Sequence, residues 1–329
     1  MARYLNPFTD FGFKHLFGTE SNKKNLISFL NAILPDQKIA KLDYKNVERQ
    51  GISEVERKVI FDLHCENEKG EKFIVELQRA KQDFFKDRTL YYTTFPITEQ
   101  AVKGNDWSYE LKPVYTVSIL NFRFPNPTTK KDDTKVKRII KLSDIETNEV
   151  FYDKLTLVYL QMPNFLKEEH ELETLEDKWY YIFKHLDILE QMPARFKEKV
   201  FKYFFESAEL ANLPRPSQME YEESLKQLRD LKNVLRTAER DAAKKADAKA
   251  RREEQEIARK QEEKARREEQ EIARKQEEKA RREEQEKAKQ QTINSVKQLL
   301  ALNILTPSQI AKVSNISEDE VLEIKNNQL

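Results

Sequence analysis

The sequence predicts a mixed α/β body, followed by a long charged helix and a small helical unit. Most aromatic residues and the apolar, strand-like segments lie in residues 1–215. Residues 249–291 contain 15 Lys or Arg and 13 Glu, without Gly or Pro, which is typical of an exposed helix. Residues 292–329 return to short amphipathic segments that are separated by turn residues.

Charge and cysteine content exclude several classes of protein. The chain has 59 Lys or Arg against 58 Asp or Glu, a net charge of +1, so any nucleic-acid footprint must be local. The single cysteine, Cys65, excludes a disulfide framework and a cysteine-based zinc site. No apolar run approaches the roughly 18 residues of a membrane span, and the first residues lack a signal-peptide pattern. We therefore expect a cytoplasmic protein without a membrane partner.

The elements of the body follow in a recognisable order. SNKKNLISFLNAIL predicts a capped helix, and RTLYYTTFPITEQAVKG a second one that Pro96 should bend or interrupt. TLEDKWYYIFKHLDIL and ARFKEKVFKYFFESAEL predict two amphipathic helices. The predicted strands are KIAKLDY, EVERKVIFDLHCEN, EKFIVELQ, PVYTVSILNF and LTLVYLQM. PVYTVSILNF is continuously apolar, which indicates a central strand of a sheet covered by helices.

One predicted hairpin carries the chemistry. Residues 67–71 join two strands, and Gly70 suits the left-handed last position of a three-residue loop. This register places Asp62 directly opposite Glu76, with Gln78 two residues further on the same face. The opposite face, which we expect in the core, carries Phe61, Leu63, Cys65, Phe73, Val75 and Leu77.

Two carboxylates that face each other across a hairpin repel, and something must offset the repulsion. A shared proton, a neighbouring Lys or Arg, or a divalent cation would each do so. The alternative is a solvated polar face without function. The opposition of Asp62 and Glu76 in mid-strand favours the cation, and hard oxygen ligands suit Mg²⁺ or Mn²⁺. His64 lies on the same predicted face, where a lone histidine is more often structural.

These residues carry a family resemblance. IFDLHCENEKGEKFIVELQ resembles the Asp…Glu-x-Gln variant of the PD-(D/E)xK nuclease core, and the wider pattern resembles the recombination-promoting nuclease / putative transposase family. The resemblance covers about the whole chain, because five further segments match in order. They are TDFGFKHLFG, KDRTLYYTT, LKPVYTVSILNF, YEESLKQLRDLKNVL and LTPSQIAKVSNISEDEVLEI. It implies a restriction-endonuclease-like mixed sheet flanked by helices.

The resemblance also implies an activity and a site. A member of this family would be a Mg²⁺- or Mn²⁺-dependent endonuclease acting on double-stranded DNA. Asp62 and Glu76 would bind the metal, together with the backbone carbonyl of Leu77. Gln78 stands where most PD-(D/E)xK enzymes have Lys, and a neutral amide there could orient the attacking water while the metal lowers its pKa.

Five further residues are weaker candidates. Asp10 and Lys14, in the N-terminal motif, would approach the metal or a phosphate, or would be no more than a helix cap and a surface charge. Arg79, Gln82 and Arg88 follow the catalytic strand and would contact phosphates of the DNA.

The chain is predicted to comprise four segments. Residues 1–125 form the nuclease-like core, and residues 126–215 extend it with a strand and helices. Residues 216–291 form the long charged helix, in which KARREEQEIARKQEE occurs twice in succession. Residues 292–329 resemble a helix-turn-helix, although the acidic second helix suits a docking module better than a major-groove reader.

The long helix has two interpretations. The few apolar residues of the repeat indicate a solvated spacer, and the alternative is a coiled coil. Just upstream, Leu225, Leu228, Leu231 and Leu235 form a better apolar stripe, which suggests a homodimer through residues 219–235.

The sequence is compatible with three functions. The first is a metal-dependent DNA endonuclease linked to recombination or a mobile element. The second is a catalytically weak DNA-binding or assembly protein that keeps the nuclease fold as a scaffold. The third, a structural protein dominated by its helical arm, is disfavoured by the ordered motifs of the core.

Overall fold

A six-stranded mixed sheet organises the first part of the chain. The strands are β1 (Leu42–Tyr44), β2 (Glu48–Arg49), β3 (Val59–Ile60), β4 (Leu63–Asn67), β5 (Lys72–Gln78), β6 (Val114–Leu120), β7 (Lys137–Ser143) and β8 (Val150–Gln161). Their order in the sheet is β1–β4–β5–β6–β8–β7. β5, β6 and β8 are parallel to one another, and the remaining neighbours pair antiparallel. β2 and β3 form a separate two-stranded sheet.

The structure is a computed structural model that describes residues 2–34, 36–49, 59–101, 108–124 and 134–326. The chain divides into two units, residues 1–235 and 236–329. The α-helices are α1 (Asp10–Phe17), α2 (Lys23–Ile33), α3 (Phe85–Thr98), α4 (Leu175–His185), α5 (Lys199–Ala208), α6 (Arg215–Leu302), α7 (Pro307–Ser314) and α8 (Glu318–Asn326). The mixed α/β body, the long helix and the small C-terminal helices confirm the predicted fold class.

The central strand of the sheet is β6, as its apolar sequence predicts. All seven of its residues are buried, and it pairs parallel with β5 on one side and β8 on the other. Parallel strands in this position are covered on both faces, which explains why they lack an alternating pattern.

An aromatic core covers one face of the sheet. The buried ring of Trp179, on α4, packs against Phe17 of α1, Phe29 of α2 and Phe204 of α5, with ring centroids 5.2 to 6.0 Å apart. Large rings bury much apolar area at once, so this cluster is the main source of stability for the first unit.

The other face of the sheet is covered by α3. Phe61 and Ile74 are buried there, packed against Tyr92 and Phe95 of the helix. The prediction that Phe61 lies on the same face of the sheet as Leu63 is therefore wrong. The chain bends at Asp62, and the alternation of side chains between the two faces starts again at Leu63. The interpretation of this face as a solvated polar surface is wrong as well.

Several predicted boundaries need correction. The predicted strand EVERKVIFDLHCEN is broken by the bend at Asp62, and its residues 54–58 lie outside the described residues. Pro96 does not interrupt α3, which continues through it to Thr98. Strand β7 was not predicted, since its sequence KRIIKLS mixes charged and apolar residues. β8 begins five residues earlier than the predicted LTLVYLQM strand.

The long helix is continuous from Arg215 to Leu302, so the helix predicted to begin at residue 292 is its continuation. Its first turns belong to the first unit, where Tyr221 and Leu228 are buried in the aromatic core and Leu225 packs against it. The same chain therefore covers part of the stripe that suggested a homodimer, and the homodimer stays a prediction.

The second unit contains the rest of α6 and the two short helices. Its repeats carry intrahelical ion pairs, such as Glu256–Lys260 at 2.8 Å and Glu263–Arg267 at 2.7 Å. Val296, Ile310 and Val321 form a small apolar core that joins the end of α6 to α7 and α8. α7 ends at Asn315, which adopts the left-handed conformation common at helix C-termini. No helix in the described part of the chain has an apolar stretch that could cross a bilayer.

Deleting residues 264–278, one copy of the repeat, should leave the stability of the first unit unchanged. Every side chain in this segment is exposed, and the deletion shortens the helix by about 22 Å without removing a packed residue. Thermal unfolding followed by tryptophan fluorescence measures this, because both tryptophans lie before residue 236.

Leu228→Ala is the matched control within the same helix. Leu228 is buried, and its truncation should reduce the free energy of unfolding by about 2–5 kcal/mol. A comparable loss for the repeat deletion would show that the arm is part of the folded body.

Candidate active site

The hairpin has the predicted register. Gly70 adopts a φ of 79°, and the ladder pairs His64 with Ile74 and Leu63 with Val75. Continued by one residue, this register brings Asp62 opposite Glu76. Regular pairing ends at Leu63, the first residue of β4, and Asp62 lies in a bend directly before it.

Asp62 and Glu76 are joined through backbone hydrogen bonds. The N–H of Asp62 donates to Glu76 Oε1 at 3.1 Å, and the N–H of Leu77 donates to Asp62 Oδ2 at 2.6 Å. Each carboxylate thus satisfies a backbone donor at the place where the ladder is broken. Among the described residues, the second oxygen of each carboxylate, Oδ1 and Oε2, has no hydrogen-bond partner.

Burial makes this pair electrostatically unfavourable. Glu76 is only 7% exposed, and burial together with the charge of Asp62 raises its pKa to about 8. Burial also raises the pKa of Asp62, while the bond from Leu77 and the charges of Lys14 and Arg79 oppose that rise. The two carboxyls therefore oppose each other's ionisation, and a bound cation would favour the charged form of both.

Gln78 lies at the end of β5 on the face that α3 covers. Its Nε2 donates to the carbonyl of Ala80 at 3.1 Å, and its Oε1 accepts from Arg88 Nη2. Arg88 also donates to Gln82 Oε1 at 2.6 Å, so two of the three residues that follow the catalytic strand and were predicted to contact phosphates are linked to each other. The contact between Arg88 and Gln78 joins two elements and could not be read from the sequence.

Helix α1 brings the N-terminal motif to the same place. Its N-cap is Thr9, whose Oγ1 accepts from Gly12 N at 2.9 Å, so Asp10 is not the cap. Asp10 pairs with Lys14 at 3.0 Å and lies 3.9 Å from Arg79. All three of these charged residues lie close enough to Asp62 to affect its pKa.

The two glycines of the N-terminal motif explain this placement. A Cβ on Gly12 would lie 2.3 Å from the carbonyl oxygen of Asn6, and a Cβ on Gly18 would lie 2.7 Å from Leu63 Cδ2. Gly12 therefore allows the chain before α1 to fold closely onto the helix, and Gly18 allows the end of α1 to approach the hairpin at Leu63. The motif therefore positions the helix beside Asp62.

A cleft of about 1060 Å³ opens at Asp62. Asp10 and Lys14 line one side, and Glu220 and Glu223, from the first turns of α6, contribute to its lining as well. The sequence did not assign these two glutamates to the site. For Glu223 the signal was the matching segment YEESLKQLRDLKNVL, which supplies cleft residues as well as core residues, whereas Glu220 lies just before that segment.

The donor set fits a hard divalent cation. Among the described residues, no group of three or more His, Cys, Asp or Glu side chains is arranged to hold a metal. Mg²⁺ nevertheless often binds through one or two carboxylates and keeps several waters. Asp62 Oδ1 and Glu76 Oε2, which have no hydrogen-bond partner in the described part of the chain, match this requirement, and a bound cation would neutralise the charge of the pair.

The histidines contribute little to the site. His64 is buried beneath α3, with its ring 5.5 Å from that of Phe61, which favours the structural interpretation. His15 lines the cleft, and its Nε2 contacts the carbonyl of Ser207 at 3.1 Å, which also favours a structural role.

Asp62→Asn should leave the melting temperature of the metal-free protein unchanged or raise it. Asparagine keeps an oxygen for the N–H of Leu77 and removes a charge that burial opposes. Asp62→Ala leaves that N–H without its acceptor and should be less stable than Asp62→Asn by about 1–3 kcal/mol. Thermal denaturation in EDTA measures the difference in stability. Equal stability of the two variants would contradict a stabilising role for the hydrogen bond from the N–H of Leu77 to Asp62.

A comparison with known families agrees with this geometry. A family model described as PD-(D/E)XK nuclease family transposase matches residues 7–238. Neither a search of curated proteins nor a search of solved structures finds a match. The match spans both carboxylates, Gln78, α3 and the first turns of α6, which together enclose the site. The chain belongs to the PD-(D/E)XK nuclease family transposases.

Proposed function

We propose that this protein is a metal-dependent endonuclease that hydrolyses phosphodiester bonds of double-stranded DNA. The observation that carries the proposal is the pair of the partly buried Asp62 and the buried Glu76, in which each carboxylate has one oxygen fixed by a backbone N–H and the other has no hydrogen-bond partner among the described residues. Asp62 lines a cleft whose lining also includes Lys14. Membership of a nuclease family supports the same function.

Asp62 and Glu76 would hold a Mg²⁺ or Mn²⁺ ion through Oδ1 and Oε2, and the carbonyl of Leu77 is the third proposed ligand. When bound, such an ion supplies a Lewis acid that lowers the pKa of water and neutralises charge on the phosphate. The backbone bonds to both carboxylates fix their orientation before any ligand arrives, so little ordering remains to be done on binding.

The surrounding side chains would act on the substrate. Gln78 would orient the attacking water or a phosphate oxygen from the same strand face as Glu76. Lys14 and Arg79 lie near Asp62 and would contact phosphates of the bound strand. Asp10 pairs with both cations and would hold them in place until DNA replaces it.

The family description supports a link to mobile elements or recombination. The runner-up is a DNA-binding or assembly protein that has kept the fold as a scaffold. Retention of both carboxylates, and of the backbone bonds that orient them, favours the enzyme.

Cleavage of supercoiled plasmid should require Mg²⁺ or Mn²⁺ and should stop in EDTA. Asp62→Asn and Glu76→Gln should each reduce the rate at least ~100-fold, because each removes a charge that the cation needs. The matched control is Glu68→Gln, which removes an exposed carboxylate from the turn of the same hairpin and should cleave like the wild type. Full cleavage in EDTA, or by Asp62→Asn, would exclude this mechanism.

Gln78→Ala should keep metal binding, measured by calorimetry, and lose most of the cleavage rate. The amide oxygen of Gln78 accepts from Arg88, which makes it a poor metal ligand. The amide nitrogen donates to the carbonyl of Ala80 and has a second N–H with which to orient a ligand. Gln78→Lys should retain only part of the activity, since its ammonium would lie beside the guanidinium of Arg88. Wild-type cleavage by Gln78→Ala would leave Gln78 with a packing role only.

A further inference from the structure

Arg88 is held from several directions. Its central guanidinium carbon lies 5.3 Å from the ring centre of Phe85 and 5.4 Å from that of Tyr92. Its Nη1 donates to Gln82 Oε1 at 2.6 Å, and its Nη2 donates to Gln78 Oε1. A guanidinium fixed by two rings and two acceptors has a defined direction, unlike a mobile charge on the surface.

The two contacts of the Gln78 side chain require the same orientation of its amide. A guanidinium has only N–H donors, so the atom of Gln78 that faces Arg88 must be the amide oxygen. The backbone carbonyl of Ala80 only accepts, so the atom that faces it at 3.1 Å must be the amide nitrogen. The orientation of the amide is therefore determined by the chemistry of both partners.

This orientation limits what Gln78 can offer to a ligand. Its oxygen is committed to Arg88 and is not available to a cation. Its nitrogen carries two protons, of which Ala80 accepts one, and the second has no partner among the described residues. Because the oxygen accepts from a positive charge, the amide is polarised and its remaining N–H is a stronger donor.

We propose that Arg88 is a positioning residue, which fixes the Gln78 amide so that an N–H, and not the carbonyl, faces the reacting phosphate or water. The identity of the group that this N–H faces, a phosphate or a water, rests on the proposed endonuclease function. The role differs from direct contact with DNA phosphates, which the sequence alone suggested for Arg88. It also explains how a neutral amide at position 78 can donate a hydrogen bond where most PD-(D/E)xK enzymes have the ammonium of Lys.

A thermal denaturation cycle tests the link without any need for activity. Arg88→Met keeps an apolar stem against Phe85 and Tyr92 but removes the donors. We expect the losses in melting temperature of Arg88→Met and Gln78→Ala to be clearly sub-additive in the double variant, because both remove the same bond. Lys86→Ala, which removes an exposed cation from the same helix, should be additive with Gln78→Ala. Additive losses for Arg88→Met would overturn the proposal.

Single-turnover cleavage of a DNA duplex tests the consequence. Arg88→Met should lower the cleavage rate about 10- to 100-fold, as expected for loss of an outer-shell partner, and change the apparent affinity for DNA little. In the Gln78→Ala background the same substitution should have an effect of no more than about 3-fold. Arg88→Lys keeps the charge without the planar fork and should recover only part of the rate.

A phosphate contact would give a different pattern. Arg88→Met would then weaken DNA binding equally in both backgrounds and reduce the salt dependence of binding by about one phosphate, which would overturn the positioning role. If the wild type does not cleave DNA with Mg²⁺ or Mn²⁺, the endonuclease proposal fails. The thermal cycle alone then decides whether Arg88 fixes Gln78.

Discussion

The opposition of Asp62 and Glu76 across one hairpin is the constraint on which the site depends. Burial and mutual repulsion raise the pKa of Glu76 to about 8, so the pair is unfavourable as an element of a fold. The hairpin tolerates the pair because each carboxylate accepts a backbone N–H where the ladder stops. The bend at Asp62 interrupts the ladder, so that the N–H groups of Asp62 and Leu77 donate to the two carboxylates.

The elements around the hairpin complete the site in a consistent way. α3 closes the face that carries Glu76 and Gln78, and its Arg88 bonds to Gln78. α1 brings Lys14 beside Asp62, and the glycines of its motif allow the close approach. The first turns of α6 fix α1 in turn, because Ser224 accepts from the N–H of Phe11 at 3.1 Å. The long helix thus belongs to the site at its beginning, while its charged repeats lie in the second unit.

Much of this arrangement follows from local patterns in the sequence. Gly70 at the last loop position set the register, and the register alone brought Asp62 and Glu76 together. The alternation of apolar residues could not reveal the bend at Asp62, so Phe61 was assigned to the wrong face. The helical pattern of SVKQLLAL continues α6 without a break, which the predicted boundary at residue 292 overlooked. The bond between Gln78 and Arg88 depends on how α3 packs on the sheet, a tertiary relation that no local pattern contains.

The claim that the two carboxylates hold a divalent cation is tested most directly by crystallography with Mn²⁺ and a DNA duplex. We expect an anomalous difference peak at coordination distance, about 2.1 Å, from one oxygen of Asp62 and one of Glu76, and no such peak in Asp62→Asn. A bound ion elsewhere on the chain, with this pair left without metal in the presence of DNA, would contradict the claim.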